Sequence, residues 1–157
     1  MPPAAADRSV PIQIGLQCAG FPPMATAQPN AHVLLIEDDP ALGAVTAEVL
    51  KYLGHQVVWA VSANDGFACL AQDHRFDAVL LDLGLGAGDG VTLVKSLREH
   101  GCVIPPLLVF SAQPIDALQR AATAIGAAAI LQKPCTTSEL ASALRRTLQS
   151  SDAGCRY

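Results

Sequence analysis

The sequence has few aromatic residues, few charges and no long apolar run, and each shortage excludes a class of protein. Aromatic residues make up 4% of the 157 residues and charged residues 15%, while apolar residues reach 51%. That balance supplies enough apolar surface for one buried core and excludes a chain that stays disordered for lack of hydrophobic residues. No apolar stretch approaches the roughly 20 residues that a membrane-spanning helix needs, so we expect no membrane segment.

Cysteine is scarce and scattered. The chain has 5 cysteines, and no two of them have the two-residue spacing of a zinc knuckle or a redox motif. An odd number of cysteines in a chain without a secretory signal is typical of proteins in a reducing compartment. We therefore expect a cytoplasmic protein rather than a secreted disulfide scaffold. The net charge of -4 gives no electrostatic reason to expect nucleic acid as a partner.

The distribution of proline and of apolar periodicity divides the chain into three regions. Residues 1–30 are rich in proline and poor in charge, so we expect a disordered extension. A chain that began at Met24 would have a shorter and more ordinary N-terminal segment, and we keep Met24 as a hypothesis for the true first residue. Residues 31–150 carry the regular patterns of one domain, and 151–157 carry none, which predicts a disordered tail.

Five short apolar runs recur inside the predicted domain. Each is four residues long, rich in Val, Leu and Ile, and apolar without alternation, which is typical of strands buried on both faces of a parallel sheet. The runs are Val33–Ile36, Val57–Ala60, Ala78–Leu81, Leu107–Phe110 and Ala128–Leu131. Trp59 falls in the second run, and we interpret it as a core residue.

Helical patterns follow each apolar run. They are Ala41–Leu53, Asp65–Gln72, Val91–Glu99, Ile115–Ala124 and a last helix that starts at Thr136 or Thr137. The first pattern places Val45, Val49 and Leu53 on one face, and Ser62 or Asn64 can cap the second helix. Five strand-then-helix units predict an α/β fold, a doubly wound parallel sheet with helices on both faces and right-handed crossovers.

Polar side chains follow four of the five predicted strands. They are Glu37-Asp38-Asp39 after the first strand, Asp82 after the third, Ser111 after the fourth and Lys133 after the fifth. Because ligands of such sheets bind beyond the carboxyl ends of the strands, we expect these groups to meet. Clustered carboxylates repel one another unless a cation binds among them, and oxygen ligands suit Mg²⁺. Asp82 beside Mg²⁺, Lys133 and a hydroxyl is a set that can form an acyl phosphate.

Residues 31 to about 150 resemble the receiver domain of two-component response regulators. The family pattern has an acidic pair after strand one, a phosphoacceptor Asp after strand three, Ser or Thr after strand four and Lys-Pro after strand five. The matching segments stand in order: Val33–Pro40, Val79–Leu83, Asp89–Gly90, Ser111–Ala112 and Lys133–Pro134. This resemblance to the CheY-like superfamily implies a flavodoxin-like sheet with strand order 2-1-3-4-5.

The resemblance implies a role for each acidic residue. Asp82 would accept a phosphoryl group from a phosphohistidine. Asp38, Asp82 and the backbone carbonyl of Gly84 would hold Mg²⁺ directly, and Glu37 would act through water. Asp39 is the alternative to Asp38 as the direct ligand. Taken without the rest of the site, the acidic turn would be read as a solvated cap of the next helix.

The resemblance also implies roles on the other side of the site. Ser111 would be the switch hydroxyl, Lys133 would bond the phosphoryl group, and the peptide before Pro134 would be cis. Two positions depart from the family. Ile130 stands where the switch aromatic usually lies, and Leu85-Gly86 stands where the family often has Met-Pro.

The resemblance implies partners rather than substrates. A histidine kinase or a histidine phosphotransfer protein would donate the phosphoryl group, and a downstream protein target would read the phosphorylated state. Because the chain ends soon after Lys133, we expect no output domain and no direct DNA binding, and because it has no long apolar run, we expect no membrane contact. We expect no enzymatic activity beyond self-phosphorylation from a phospho-donor and self-dephosphorylation.

Three rival interpretations remain open from the sequence. The chain could be a phosphorelay intermediate or the separate receiver of a hybrid kinase. It could be a receiver-like protein-binding module that does not depend on phosphorylation. The departure from the family at Ile130 is consistent with this interpretation. A small aspartyl phosphatase is the third, but that family has a second acid two residues after its nucleophile, where this chain has Gly84.

Overall fold

A computed structural model describes residues 30–72, 75–86 and 89–152, which form five strands alternating with five helices. The strands are β1 (His32–Ile36), β2 (Gln56–Ala60), β3 (Ala78–Leu81), β4 (Leu107–Ser111) and β5 (Ala129–Gln132). The helices are α1 (Pro40–Tyr52), α2 (Ala63–Ala71), α3 (Gly90–Glu99), α4 (Ile115–Ile125) and α5 (Thr137–Asp152). The predicted extension and Met24 fall, apart from Asn30, outside the described residues.

The five strands form one parallel sheet in the order β2-β1-β3-β4-β5, which confirms the predicted fold class. Every residue of β3 and β4 is buried, as the continuous apolar runs predict for strands covered on both faces. The last strand lies one residue later than predicted, at Ala129–Gln132. Ala128 is exposed and only its amide reaches β4, at the carbonyl of Leu107 (2.8 Å).

Two apolar cores lie on the two faces of the sheet. The first core joins one face to α2, α3 and α4, and its buried members include Leu34, Val79 and Leu118. The second core joins the other face to α1 and α5 and includes Leu35 and Leu144. Burial of each such Leu or Val contributes about 1.5–3 kcal/mol, so this packing is what holds the strand ends in register.

The buried face of α1 differs from the one that Val45, Val49 and Leu53 suggest. Its buried residues are Gly43, Thr46, Ala47 and Leu50, whereas Val45 is 62% exposed. Val49 packs partly buried against the second core as predicted, but the fully buried residues were missed because three of the four are small or polar and carry no strong apolar signal. Small residues there let α1 lie close to the sheet, and an open groove of about 420 Å³ separates it from the start of α5.

The last helix, α5, continues to Asp152, two residues beyond the end predicted for the domain, and 153–157 lie outside the described residues. Beyond the last leucine, Ser150 Oγ donates to the carbonyl of Thr147 (2.6 Å). None of the helices in the described ranges is long and apolar enough to cross a membrane.

Candidate functional site

The carboxyl edge of the sheet brings the four predicted strand-end groups together. The backbone just beyond each strand is bonded to its neighbour: Asp82 N donates to the carbonyl of Ile36 (3.1 Å), and Lys133 N donates to that of Ser111 (2.9 Å). Because the strands are parallel and in this register, residues far apart in sequence meet at one edge. Glu37, Asp82 and Ser111 are buried there, and Lys133 is partly buried.

Lys133 bonds two carboxylates at once. Its Nζ lies 2.5 Å from Glu37 Oε2 and 3.0 Å from Asp82 Oδ2, and the three side chains are 10%, 1% and 11% exposed. The ammonium also lies 4.7 Å from the ring centroid of Phe110, within cation–π range. Since a buried carboxylate without a partner would be strongly destabilising, this lysine is what allows two acids to share the edge.

The pKa of the Glu37 carboxyl is raised above its ordinary value. Burial is the main cause because it disfavours the charged form, and the nearby charge of Asp82 adds to it. The hydrogen bond and charge of Lys133 act in the opposite direction without cancelling the effect. Glu37 is therefore an acid that pairs with a lysine and still resists ionisation.

Three carboxylates at this edge form a set of oxygen donors that fits a hard cation. Glu37, Asp38 and Asp82 each offer an oxygen, and these atoms all lie within 4.8 Å of one another. Asp38 is exposed, so a cation held here would keep contact with water, as Mg²⁺ prefers. Gly84 lies beside this set, with its amide donating to Asp82 Oδ1 (2.9 Å). The part expected of the Gly84 carbonyl stays a prediction.

Asp39 has a separate task from its two acidic neighbours. Its Oδ1 accepts the amide of Leu42 (2.9 Å), which makes it the N-cap of α1 ahead of Pro40. The solvated-cap interpretation is therefore right for Asp39, while Glu37 and Asp38 face the other acids. This geometry favours Asp38 over Asp39 as the candidate metal ligand.

Gly86 makes a contact that the sequence did not suggest. Its amide donates to Asp38 Oδ2 (2.8 Å) and so ties the loop after β3 to the acidic turn. Proline, which the family often has there, carries no N–H and could not make this bond. The departure at Leu85-Gly86 thus gives this chain an added contact with a candidate metal ligand.

The other side of the site is more loosely bonded. Ser111 is 1% exposed, and its Oγ accepts a long hydrogen bond from Gln113 N (3.4 Å). Gln132 Nε2 donates to the carbonyl of Gln113 (2.9 Å), which the sequence analysis missed because both residues are polar and surface-facing. Ile130 packs partly buried against the first core. The Lys133–Pro134 peptide is cis, as predicted.

Trp59 also has a role beyond the core position that we assigned to it. It is half-buried in β2, and its Nε1 donates to the backbone carbonyl of Glu37 (2.9 Å). No local sequence motif predicts this hydrogen bond. The one available signal was a glycine, Gly43, at a helical position that faces the tryptophan ring.

Comparison with known proteins agrees with this geometry. The family model described as "response regulator receiver domain" matches residues 33–145. The chain is 31% identical over 131 residues to the regulatory protein VirG of Agrobacterium fabrum, covering 83% of this chain and 51% of VirG. It is 33% identical over 122 residues to the KDP operon transcriptional regulatory protein KdpE of Escherichia coli, covering 78% and 53%. It therefore spans about half the length of these curated relatives.

Solved structures show the same fold. A receiver domain protein (CheY-like) from Methanospirillum hungatei superposes with a TM-score of 0.69 at 21% identity, covering 79% of this chain and 98% of that one. The chemotaxis protein CheY4 of Vibrio cholerae superposes with a TM-score of 0.68 at 25% identity, covering 74% and 98%.

Proposed function

The chain belongs to the response regulator receiver domain family, and from that premise we propose that it is the phosphoacceptor of a two-component or phosphorelay system. Asp82 takes a phosphoryl group from a phosphohistidine on a histidine kinase or a histidine phosphotransfer protein. The observation that carries the proposal is the pair of bonds from Lys133 Nζ to Glu37 and Asp82, with an oxygen of Asp38 beside them.

The transfer needs an attacking oxygen and a cation at the same place. A carboxylate oxygen of Asp82 bonds to phosphorus while the phosphorus–nitrogen bond of the phosphohistidine breaks. The electron pair of the broken bond stays on the imidazole nitrogen. Two of the three N–H donors of Lys133 are directed at Glu37 and Asp82, which leaves one for a phosphoryl oxygen. Ser111, buried beside them, supplies a hydroxyl that can donate to the phosphorylated product.

We propose Mg²⁺ as the cofactor of this site. Asp38, Asp82 and the carbonyl of Gly84 hold it, and Glu37 acts through water. When bound, Mg²⁺ would neutralise charge on the phosphoryl oxygens. The acids supply the hard oxygen donors, and the exposure of Asp38 leaves room for water ligands.

We propose that a downstream protein reads the phosphorylated state on the face formed by α4, β5 and α5. This face adjoins Ser111 and Gln113, because Ser111 pairs with Gln132 of β5 and Gln132 Nε2 donates to the carbonyl of Gln113 (2.9 Å). Direct DNA binding and membrane contact form no part of the proposal, nor does catalysis beyond the acceptor's own phosphorylation and dephosphorylation. The phosphorylation-independent binding module is not favoured, because Asp82 and Lys133 are held together with the other acids.

The cytoplasm is the proposed compartment, on the ground of cysteine usage. Three cysteines that the structure describes, Cys69, Cys102 and Cys135, are unpaired thiols. Burial raises the pKa of Cys69 and Cys135, so these thiols stay protonated and unreactive. Unpaired thiols of this kind are typical of a reducing compartment.

Intact mass measurement tests the phosphoacceptor directly. The full chain is incubated with acetyl phosphate and Mg²⁺, beside the variants Asp82→Asn and Asp116→Asn. The second variant is a matched control, because Asp116 is an exposed acid on α4. We expect a single phosphate adduct on the wild type and on Asp116→Asn, dependent on Mg²⁺ and absent from Asp82→Asn.

A second reagent, which needs no phosphoryl transfer, covers the case in which acetyl phosphate is not used as a donor. Beryllium fluoride, a mimic of the phosphoryl group, is added with Mg²⁺ and followed by amide chemical shifts around Ser111. An adduct that persists in Asp82→Asn would overturn the assignment of Asp82. A wild type that neither forms the adduct nor responds to beryllium fluoride would overturn the proposed function.

A further inference from the structure

Trp59 holds the backbone of the acidic turn although it lies on a neighbouring strand. Glu37 is the first residue beyond β1, and its amide donates to the carbonyl of Ala60 in β2 (3.1 Å). Its carbonyl has no further β2 amide in register to accept from, because β2 ends at Ala60. The indole Nε1 of Trp59 donates to that carbonyl instead (2.9 Å). Two residues of β2 thereby hold the backbone of Glu37, Ala60 through its carbonyl and Trp59 through its side chain.

Gly43 makes room for this indole. A Cβ built on Gly43 would lie 2.1 Å from Cζ2 and 2.4 Å from Cε2 of the Trp59 ring, which is closer than atoms can approach. A glycine inside a helix costs roughly 0.5–1 kcal/mol relative to alanine, so its presence in α1 calls for a packing reason. Gly43 N also donates to the carbonyl of Asp39 (2.8 Å), so the first helical turn of α1 connects the glycine to the end of the acidic turn.

The turn needs such support because it carries three consecutive acids. Like charges on Glu37, Asp38 and Asp39 repel one another, and repulsion favours backbone conformations in which the side chains diverge. A site binds a cation more tightly when its ligands are already fixed, because binding then loses less conformational entropy. A donor aimed at the Glu37 carbonyl fixes the backbone without touching the carboxylates.

We propose that Trp59 is a positioning residue of the acidic turn, with Gly43 as its complement. The indole sets the backbone at Glu37, which places the Glu37 side chain toward Lys133 and that of Asp38 toward the metal site. The inference rests on the proposed function in one respect, namely that the turn serves to bind Mg²⁺. Neither residue touches the phosphoryl group or the cation in this account.

The test compares Mg²⁺ affinity and backbone order in the full chain. Trp59→Phe keeps an aromatic ring and removes the N–H, and Gly43→Ala pushes against the ring. Val58→Ala is the control, because Val58 is the preceding residue of β2 and packs against the first core instead. Mg²⁺ binding is measured by calorimetry, amide hydrogen exchange of Glu37 and Asp39 by NMR without metal, and thermal stability by circular dichroism.

We expect Trp59→Phe to weaken Mg²⁺ binding about fivefold, which corresponds to one hydrogen bond, and to speed exchange at both amides. Val58→Ala should lower the melting temperature and leave Mg²⁺ affinity unchanged. Gly43→Ala should weaken Mg²⁺ binding in the wild-type background. Combined with Trp59→Phe it should add less than its separate effect, because the phenyl ring is shorter than the indole.

Unchanged Mg²⁺ affinity and unchanged exchange in Trp59→Phe would overturn the inference and leave the proposed function intact. An equal loss of Mg²⁺ affinity in Val58→Ala would show that any packing defect in β2 weakens the site. That result would also overturn the positioning role of Trp59. If the wild type binds no Mg²⁺, the proposed function fails, and unchanged exchange at Glu37 and Asp39 would then refute the positioning role separately. If Gly43→Ala does not fold, Trp59→Phe alone decides.

Discussion

The two halves of the site are built in different ways. The acidic half, which consists of Glu37, Asp82 and Lys133, is joined by two short ion pairs among side chains that are at most 11% exposed. The other half, to which the proposed function assigns the switch, consists of Ser111 and Ile130. There the Ser111 hydroxyl accepts one hydrogen bond of 3.4 Å, and the half-buried Ile130 contributes only apolar packing.

Under the proposed function, this difference separates binding of the phosphoryl group from the response to it. Charged groups that are fixed before the ligand arrives need no rearrangement to receive it, which favours capture of a phosphoryl group. A hydroxyl with one long hydrogen bond loses little when it moves toward a new partner, which favours a change of state. Four substitutions would break or sharpen the comparison, and they follow in order of decreasing expected effect.

Lys133→Met should have the largest effect, because it removes the cation shared by Glu37 and Asp82. We expect the free energy of unfolding at pH 7 without metal to fall by about 3 kcal/mol, the order found when one partner of a buried pair is removed. Phosphate adduct formation should slow at least about a hundredfold, as when one donor to the transition state is lost. Urea unfolding and intact mass measure the two effects. Lys95→Met, an exposed lysine on α3, is the control, and equal stability of the two variants would contradict the prediction.

Glu37→Gln should change how stability depends on pH. Because the pKa of Glu37 in the folded chain is raised, the folded state keeps a proton at pH values where the unfolded state has released it. The contribution of Glu37 to the free energy of unfolding is therefore present at low pH and is lost as pH rises through the folded pKa. Relative to Glu37→Gln, the wild type should lose stability as pH rises above the ordinary value of a glutamic acid, by on the order of 1 kcal/mol.

Urea unfolding in metal-free buffer across that pH range measures this difference. Glu48→Gln is the control, because the side chain of Glu48 is 73% exposed. A wild type that gains stability over Glu37→Gln as pH rises would show that the pairing with Lys133 outweighs burial, and the prediction would be wrong.

Ser111→Ala should affect the response and leave the resting structure nearly unchanged. Only a 3.4 Å hydrogen bond is lost, so we expect the free energy of unfolding to stay within about 1 kcal/mol of the wild type. The phosphate adduct should still form on Asp82. Amide shifts around Gln113 on addition of beryllium fluoride should become smaller, because the hydroxyl that would follow the phosphoryl group is missing. Shifts as large as those of the wild type would count against a switch role, and Ser142→Ala on α5 provides the matched control.

Ile130→Phe should have the smallest effect on the resting site, because the Ile130 side chain makes none of its hydrogen bonds, and it tests the comparison by adding an aromatic ring. The position is only partly buried, so we expect the free energy of unfolding to change by less than about 1.5 kcal/mol. An aromatic ring beside Ser111 should extend the response to beryllium fluoride into β5, as read from amide shifts of 129–132. Ile130→Leu, which conserves volume, should not do so. Equal responses in the two variants would show that the ring adds no coupling.

The sequence predicts the architecture well because its signals are local. A strand buried on both faces needs a continuous apolar run, and a parallel sheet brings the residues after such runs to one edge, so Asp82 and Lys133 could be placed without coordinates. The buried face of α1 escaped the prediction because Gly43 and Ala47 carry no apolar weight. The hydrogen bonds of Trp59 and Gly86 to the acidic turn depend on which residues of different strands and loops come into contact. The periodicity of the sequence does not predict such contacts.

The long reach of Lys133 has a consequence for synthesis of the chain. Its Nζ joins Glu37 across 96 residues and Asp82 across 51. At a translation rate of 5–20 residues per second, Asp82 is made about 3–10 s before its lysine. A growing chain during that interval carries the acids without their ammonium and the middle strands without β5. Unfinished chains that lack Lys133 therefore hold Glu37 and Asp82 without the cation that pairs them, and the site is complete only after β5 has been made.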